Sequence, residues 1–198
     1  DFAVVGGGVA WADSGTSAIG FLPGCPPAVP GSEFCAPSWT TNLGSGPRGP
    51  AALGDGAAVY SHGTSVSVLD MATGAVLWRA DLGSGASRAA TTPAAIYVVT
   101  ADDRLVALPA GGCGAPVCAP LWEAPVGSAP AGGVVVGGDV AYVPTATGVV
   151  AFAAAGCGAA TCASLTSVAT SSPVSGLIVH DGRLIVGTEG GELTAFGL

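Results

Sequence analysis

The feature that most restricts what this chain can become is a pattern that returns every 39 to 49 residues and settles at 44. Repetition on that scale means that each unit buries its apolar face against a copy of itself, so the repeat has to be read before any single motif. Three series carry it. The segments "GVAWADSG", "AAVYSHG", "AAIYVVT" and "DVAYVPT" place Trp11, Tyr60, Tyr97 and Tyr142 in like settings, and "GRLIVGT" continues them with Ile185. In "IGFL", "SVLD", "VALP", "VAFA" and "TAFG", a small residue or Val (Gly20, Val68, Ala107, Ala151, Ala195) precedes a large apolar one. "PSWTTNLG", "VLWRADLG" and "PLWEAPVG" supply Trp39, Trp78 and Trp122, and in the fourth unit, "SLTSVAT", Thr166 replaces the Trp.

Each unit reads as short strands, because apolar and polar residues alternate over four to seven positions between Gly, Asp or Pro. "GDG" (54–56), "GGD" (137–139) and "HDG" (180–182) join the first two strands, as Gly and Asp-Gly supply the positive φ of tight hairpins. "SHGT", "ADDR", "TATG" and "TEGG" form the second hairpin, and "DMATG" the third. No segment shows a useful 3.6-residue period. Four antiparallel strands at this spacing predict an all-β chain, a β-propeller of four-stranded blades. The repeats fall at 1–46, 47–85, 86–129, 130–172 and an incomplete 173–198. That makes about 4.75 repeats in one propeller domain or fragment, open or part of a larger propeller, and an unfinished last unit favours the larger one.

The stretch "VLDMATGAVLW", residues 68–78, resembles the tryptophan-docking motif of pyrroloquinoline-quinone-like propeller repeats. Val68 stands where that motif has Ala, Asp70 matches its Asp, Gly74 its turn Gly and Trp78 its docking Trp. The resemblance implies that Trp39, Trp78 and Trp122 pack between neighbouring blades, with Asp70 and Gly74 shaping the turn beneath. It extends along the chain at the level of the repeat, although the full motif stands in one unit only. Quinoprotein dehydrogenases of this kind hold a calcium ion and a ring closed by adjacent cysteines, and no two cysteines are adjacent here. The resemblance therefore implies the fold and no cofactor.

Six cysteines form three pairs, Cys25 with Cys35, Cys113 with Cys118 and Cys157 with Cys162, each between the third strand and the Trp strand of its unit. A structural metal needs four converging ligands, and these pairs lie in separate units without a His nearby. A redox pair prefers C-x-x-C at a helix start, where the dipole lowers the thiol pKa. A disulfide inside each loop is the preferred reading, ahead of metal and free thiol, and it places the chain in an oxidising compartment, secreted or in the cell envelope.

Charge narrows the function classes. The chain has 198 residues with only 9% charged, five Arg and no Lys, and a net charge of −8. No basic stripe is available to neutralise nucleic-acid phosphates or an anionic membrane. Residues 140–179 carry no charge, yet Pro144, Pro173 and repeated Gly break the run too often for a spanning helix. The opening "DFAVVGGG" lacks the basic start of a signal peptide, so an exported protein is expected here as the mature form or a piece of it. The Gly cluster in "VVGGGVAW" (4–11) reads as a turn between strands rather than a phosphate cradle, since no helix follows.

Catalytic candidates are thin. His62 and His180 sit in turns, and His180 beside Asp181 is the nearest approach to a base with its acid; polar turn residues are the preferred reading. Asp102, Asp103, Glu189 and Glu192 occupy second hairpins, where a glycosidase would need two opposed carboxylates. No catalytic, cofactor-binding or metal residue is assigned. The expected function is a non-catalytic binding or scaffold propeller at the cell surface or envelope. Its expected partner is a protein or further blades. The alternative is the propeller part of a secreted or envelope enzyme whose active site lies outside this segment.

Overall fold

The computed structural model describes residues 3–6, 9–21, 24, 27–29, 35–46, 51–54 and 56–198. Cys25, Asp55, Gly7 and Gly8 lie outside the described residues. Every regular element described is a strand, and no helix is long and apolar enough to cross a membrane.

The first sheet is β1 (Ala3–Gly6), β2 (Val9–Ser14), β3 (Ser17–Phe21) and β4 (Trp39–Asn42). The second is β5 (Ala52–Gly54), β6 (Ala57–His62), β7 (Ser65–Asp70) and β8 (Val76–Asp81). The third is β9 (Ala90–Thr91), β10 (Ala95–Val99), β11 (Arg104–Pro109) and β12 (Trp122–Pro125). The fourth is β13 (Val135–Gly137), β14 (Val140–Thr145), β15 (Gly148–Ala153) and β16 (Thr166–Ala169). The fifth has three strands, β17 (Val174–His180), β18 (Arg183–Thr188) and β19 (Leu193–Gly197). Every sheet is an antiparallel meander in chain order, the blade of a propeller.

Turn chemistry drives the meander. At the β17–β18 hairpin His180 faces Arg183, and Asp181 and Gly182 between them both have positive φ (47° and 66°). This is a primed two-residue turn, whose twist matches that of the strands it joins.

Contacts divide the chain into two compact units. The first comprises residues 1–86 with Gly112–Cys118, and thus the first two blades and a loop from the third. The second comprises Ser87–Gly111 and Ala119–Leu198, the remaining blades. In the second unit the period of two along each strand sends alternate residues to opposite faces. Tyr97, Leu105, Ala107, Trp122 and Ala124 on one face of the third blade share a core with Ala141, Val143 and Phe152 of the fourth. The other face of the fourth blade, with Tyr142, Val149 and Ala151, packs against Val174, Leu184 and Val186 of the fifth. In the first unit Ala58, Tyr60 and Leu69 pack with Ala18 and Trp39.

Strand register corrects one equivalence expected from the repeat. Gly20 pairs with Trp39, Val68 with Trp78, Ala107 with Trp122 and Ala151 with Thr166, so these two series align. On their other side, Gly20 faces Trp11, Ala107 faces Tyr97, Ala151 faces Tyr142 and Ala195 faces Ile185, but Val68 faces Val59. Tyr60 is one residue further along and belongs to the opposite face of its blade, because a one-residue step turns a strand side chain over.

Candidate functional site

The most elaborate structure lies at the seams between blades and is built from Trp, Gly and the cysteine loops. Trp78 and Trp122 begin their packing from equivalent positions opposite Val68 and Ala107, and both are buried. Each indole lies over a glycine from the third connection of the following blade. A Cβ on Gly112 would stand 2.8 Å from Trp78 Cδ1, and one on Gly156 2.5 Å from Trp122 Cδ1. Both glycines have positive φ (77° and 79°), so close approach and backbone conformation each require Gly. Trp39 is half-buried and lies over Gly74 in the same way, its Nε1–H donating to the carbonyl of Met71 at 3.2 Å. Asp70 shapes that turn, its carboxylate accepting from the amides of Ala72 and Thr73 and from the Thr73 hydroxyl, which hold it below the usual carboxylate range.

The loops of Cys113–Cys118 and Cys157–Cys162 reach back to the preceding blade. Pro116 accepts the Arg79 amide at 3.0 Å and the Cys118 amide donates to Arg79 at 2.8 Å, a parallel bridge on the outer edge of β8. Ala160 and Cys162 do the same for Glu123 on β12, both bonds 2.8 Å long. These loops therefore cover strand edges that would otherwise offer unpaired backbone groups. The structure brings Cys113 to disulfide distance from Cys118 and Cys157 to disulfide distance from Cys162, with Cα separations of 5.7 and 5.6 Å. Cys118 and Cys162 are buried against the seam. Cys35 is described and its expected partner Cys25 is not, so that pairing remains a proposal.

Above the Trp122 seam, within the second unit, lies a cleft of about 780 Å³ lined by Thr92, Tyr97, Leu121, Trp122, Asp139 and Ala154, among others. Its hydroxyls are engaged in the scaffold. Tyr97 donates to the Ala154 carbonyl at 2.8 Å and Thr92 to that of Ala95 at 3.1 Å. Apart from Asp139, what remains of the lining is apolar side chains and backbone.

His62 departs from the turn-residue expectation. It ends β6 and is buried, with Nε2 at 2.8 Å from Ser67 Oγ and Nδ1 at 3.2 Å from Ser45 Oγ. Burial, and after it the cationic Arg79, hold its pKa below the ordinary 6.5. The unfolded chain therefore takes up the proton first, so the neutral-His contribution to stability is complete above pH 6.5 and is lost as pH falls below it. Thermal melts should show an acid loss opening below pH 6.5, and His62→Gln should flatten that part of the profile. A separate loss belongs below pH 4, where Asp102 protonates in the unfolded chain while the folded one is held at about 2 by the Thr100 hydroxyl and by Arg104. An identical pH profile for His62→Gln would refute the assignment.

The other ionisable candidates are local. His180 Nε2 is 3.2 Å from the Asp181 carboxylate, both on the exposed β17–β18 turn. Arg104 pairs with Asp102 at 2.8 Å and with Glu123 at 2.7 Å, tying a hairpin to β12. Glu192 accepts from the Ser171 hydroxyl, Glu189 is exposed, and Asp103 sits at a turn with φ of 61°. The quinone cofactor does not fit these residues. The described cysteine pairs are five apart in sequence, and the described residues contain no group of three or more His, Cys, Asp or Glu placed to hold a metal ion.

Comparison with known proteins agrees with this geometry. No curated protein matches the chain. Among solved structures, BamB from Moraxella catarrhalis is 18% identical with a TM-score of 0.68, over 96% of this chain and 55% of that one. The chain thus spans about half the length of that protein. The computationally designed Ika4 protein aligns at 15% identity and a TM-score of 0.62, over 75% of this chain and 89% of its own. A chain of the Mitotic Checkpoint Complex aligns at 12% identity and 0.72, over 97% of this chain and 58% of its own. At these identities the likeness is one of fold. The family model described as outer membrane protein assembly factor BamB matches residues 6–112, more than half of the chain. With its meander blades and its Trp-over-Gly seams, the chain belongs to the BamB family of pyrroloquinoline-quinone-like β-propeller repeat proteins.

Proposed function

We propose that the chain is a non-catalytic binding propeller of the cell envelope that holds protein partners. The observation carrying this reading is a leucine repeated at one place in three blades. Leu77, Leu121 and Leu165 each directly precede the Trp-series position of the fourth strand (Trp78, Trp122, Thr166) and are 52, 51 and 59% exposed. Single exposed apolar residues are ordinary, but recurrence at the same step of the repeat gives them the character of a contact surface. Family membership supports the same reading, because the family is described by an outer membrane assembly factor. An envelope setting is supported by the cysteine pairs, since disulfides persist in oxidising compartments.

A photo-crosslinking residue at position 121 or 165 should capture a protein partner in intact envelopes, and one on the exposed turn at Asp181 should not. Leu121→Asp with Leu165→Asp should abolish that capture while stability moves by no more than about 0.5 kcal/mol per site, as is usual for exposed positions. Equal labelling at 121 and 181, or capture that survives both substitutions, would refute the reading.

A further inference from the structure

The cleft above the Trp122 seam is walled by two four-stranded blades and joins an apolar lining to a single acid. It lies between the first hairpins of the third and fourth blades and the loop of Cys157 and Cys162, all within the second unit. Its volume of about 780 Å³ falls in the range of ligand clefts, roughly 300–1,000 Å³. Buried Tyr97 and Trp122 close it on the core side, and exposed Ala94, Leu121 and Ala159 border it. Asp139 is the only charged residue of the lining. Its backbone carbonyl accepts the Ala154 amide at 2.8 Å, which ties the hairpin to the blade. Among the described residues no hydrogen bond or ion pair engages its exposed carboxylate.

We propose that this cleft receives an arginine side chain from an extended segment of the partner protein, its guanidinium pairing with Asp139 and its apolar neighbours lying against Leu121. An apolar wall ending at one carboxylate matches a side chain that buries its stem and keeps a charged head. Arg suits the site better than Lys, because a planar guanidinium meets a carboxylate with two parallel bonds and is more weakly hydrated. Charge complementarity extends beyond the cleft, since the chain carries −8 and has no Lys. The same charge makes a second copy a poor occupant, as two such chains repel. Asp181, the acid of the corresponding hairpin in the fifth blade, lies outside the cleft and stands 3.2 Å from His180. The proposal rests on the reading of the chain as a protein-binding scaffold, with which it shares Leu121, and names the chemistry of the partner.

The probe is a capped peptide, ALRLA, with citrulline in place of its Arg as an uncharged control of like shape. Titrated into the full chain at low salt, the Arg peptide should bind at least about fivefold more tightly than the control, as for a charge-assisted pair. That preference should fade near 1 M salt, where the screening length is about 3 Å. Amides of Leu121, Gly138 and Ala160 should shift in NMR spectra on binding, and those of the β17–β18 turn should not. Asp139→Asn should remove the preference, while Asp181→Asn, which deletes the same charge elsewhere, should leave it. Equal affinity for the two peptides, no binding of either, or equal loss from both substitutions would overturn the proposal. So would phenethylamine shifting the same amides at lower concentration than the peptide, which would make the occupant a small amphiphilic cation. Crosslinking at positions 121 and 165 is read separately, so the scaffold reading can stand if the cleft does not bind Arg.

Discussion

Replacing Trp122 with Ala should lower stability by about 3–5 kcal/mol, the cost of deleting a buried aromatic that leaves its cavity behind. In a chain of this size that corresponds to roughly 6–20 °C in melting temperature. The expectation follows from how much converges on the ring. Trp122 is 5% exposed, its centroid lies 6.2 Å from that of Tyr97, and Gly156 closes from the next blade. Tyr97 in turn donates to Ala154 across the same seam. Gly156→Ala should also be strongly destabilising, since its Cβ collides with the indole and its φ is disfavoured for any other residue. Trp39→Ala should cost less, because Trp39 is only half-buried. Urea unfolding of the three variants is the measurement. A Trp122→Ala loss no larger than that of Trp39→Ala would remove the seam from the account of stability.

Reduction should produce the second large effect. Closing a loop between cysteines five residues apart stabilises by about 2 kcal/mol in the chain-entropy model, so opening both described pairs should cost about 4 kcal/mol. The loss should also have a location. Amides of Arg79, Cys118, Glu123 and Cys162 make the parallel bridges, so their exchange protection should fall after reduction. Amides inside β10 and β14, held by strands on both sides, should change little. Replacing Cys113 and Cys118 by Ser should reproduce the effect at the amides of Arg79 and residue 118 and spare those of Glu123 and Cys162. If reduction leaves both stability and these amides unchanged, the loops cover the edges without help from the cysteines.

Much of this architecture was legible in the linear sequence because its causes are local. Alternation with period two, Gly and Asp-Gly at the turns and a Trp near the start of the last strand of three units are properties of short stretches of chain. Repetition then multiplied a weak signal into an assignment of four-stranded blades. The approach of Cys113 to Cys118 and of Cys157 to Cys162 was legible for the same reason, each pair being contained in one connection of one unit.

What the tertiary structure alone decided are matters of register and of contact between distant segments. Tyr60 looks equivalent to Tyr97 in sequence, yet pairing puts Val59 there and turns Tyr60 to the other face, because strand side chains invert with every residue. His62 reads as a solvated turn residue, but folding buries it within hydrogen-bond reach of Ser45, seventeen residues away, and burial, with Arg79 after it, lowers its pKa. Gly112 and Gly156 are indistinguishable in sequence from the other glycines of their loops until a Trp 34 residues earlier packs on them. The loops of Cys113–Cys118 and Cys157–Cys162 read as exposed staples, whereas folding lays them along the strand edge of the preceding blade, a parallel pairing that no local pattern encodes. Local propensity thus determined the blades; the backbone hydrogen bonds and close packing between them, which exist only once the blades meet, decided what each loop and aromatic residue does.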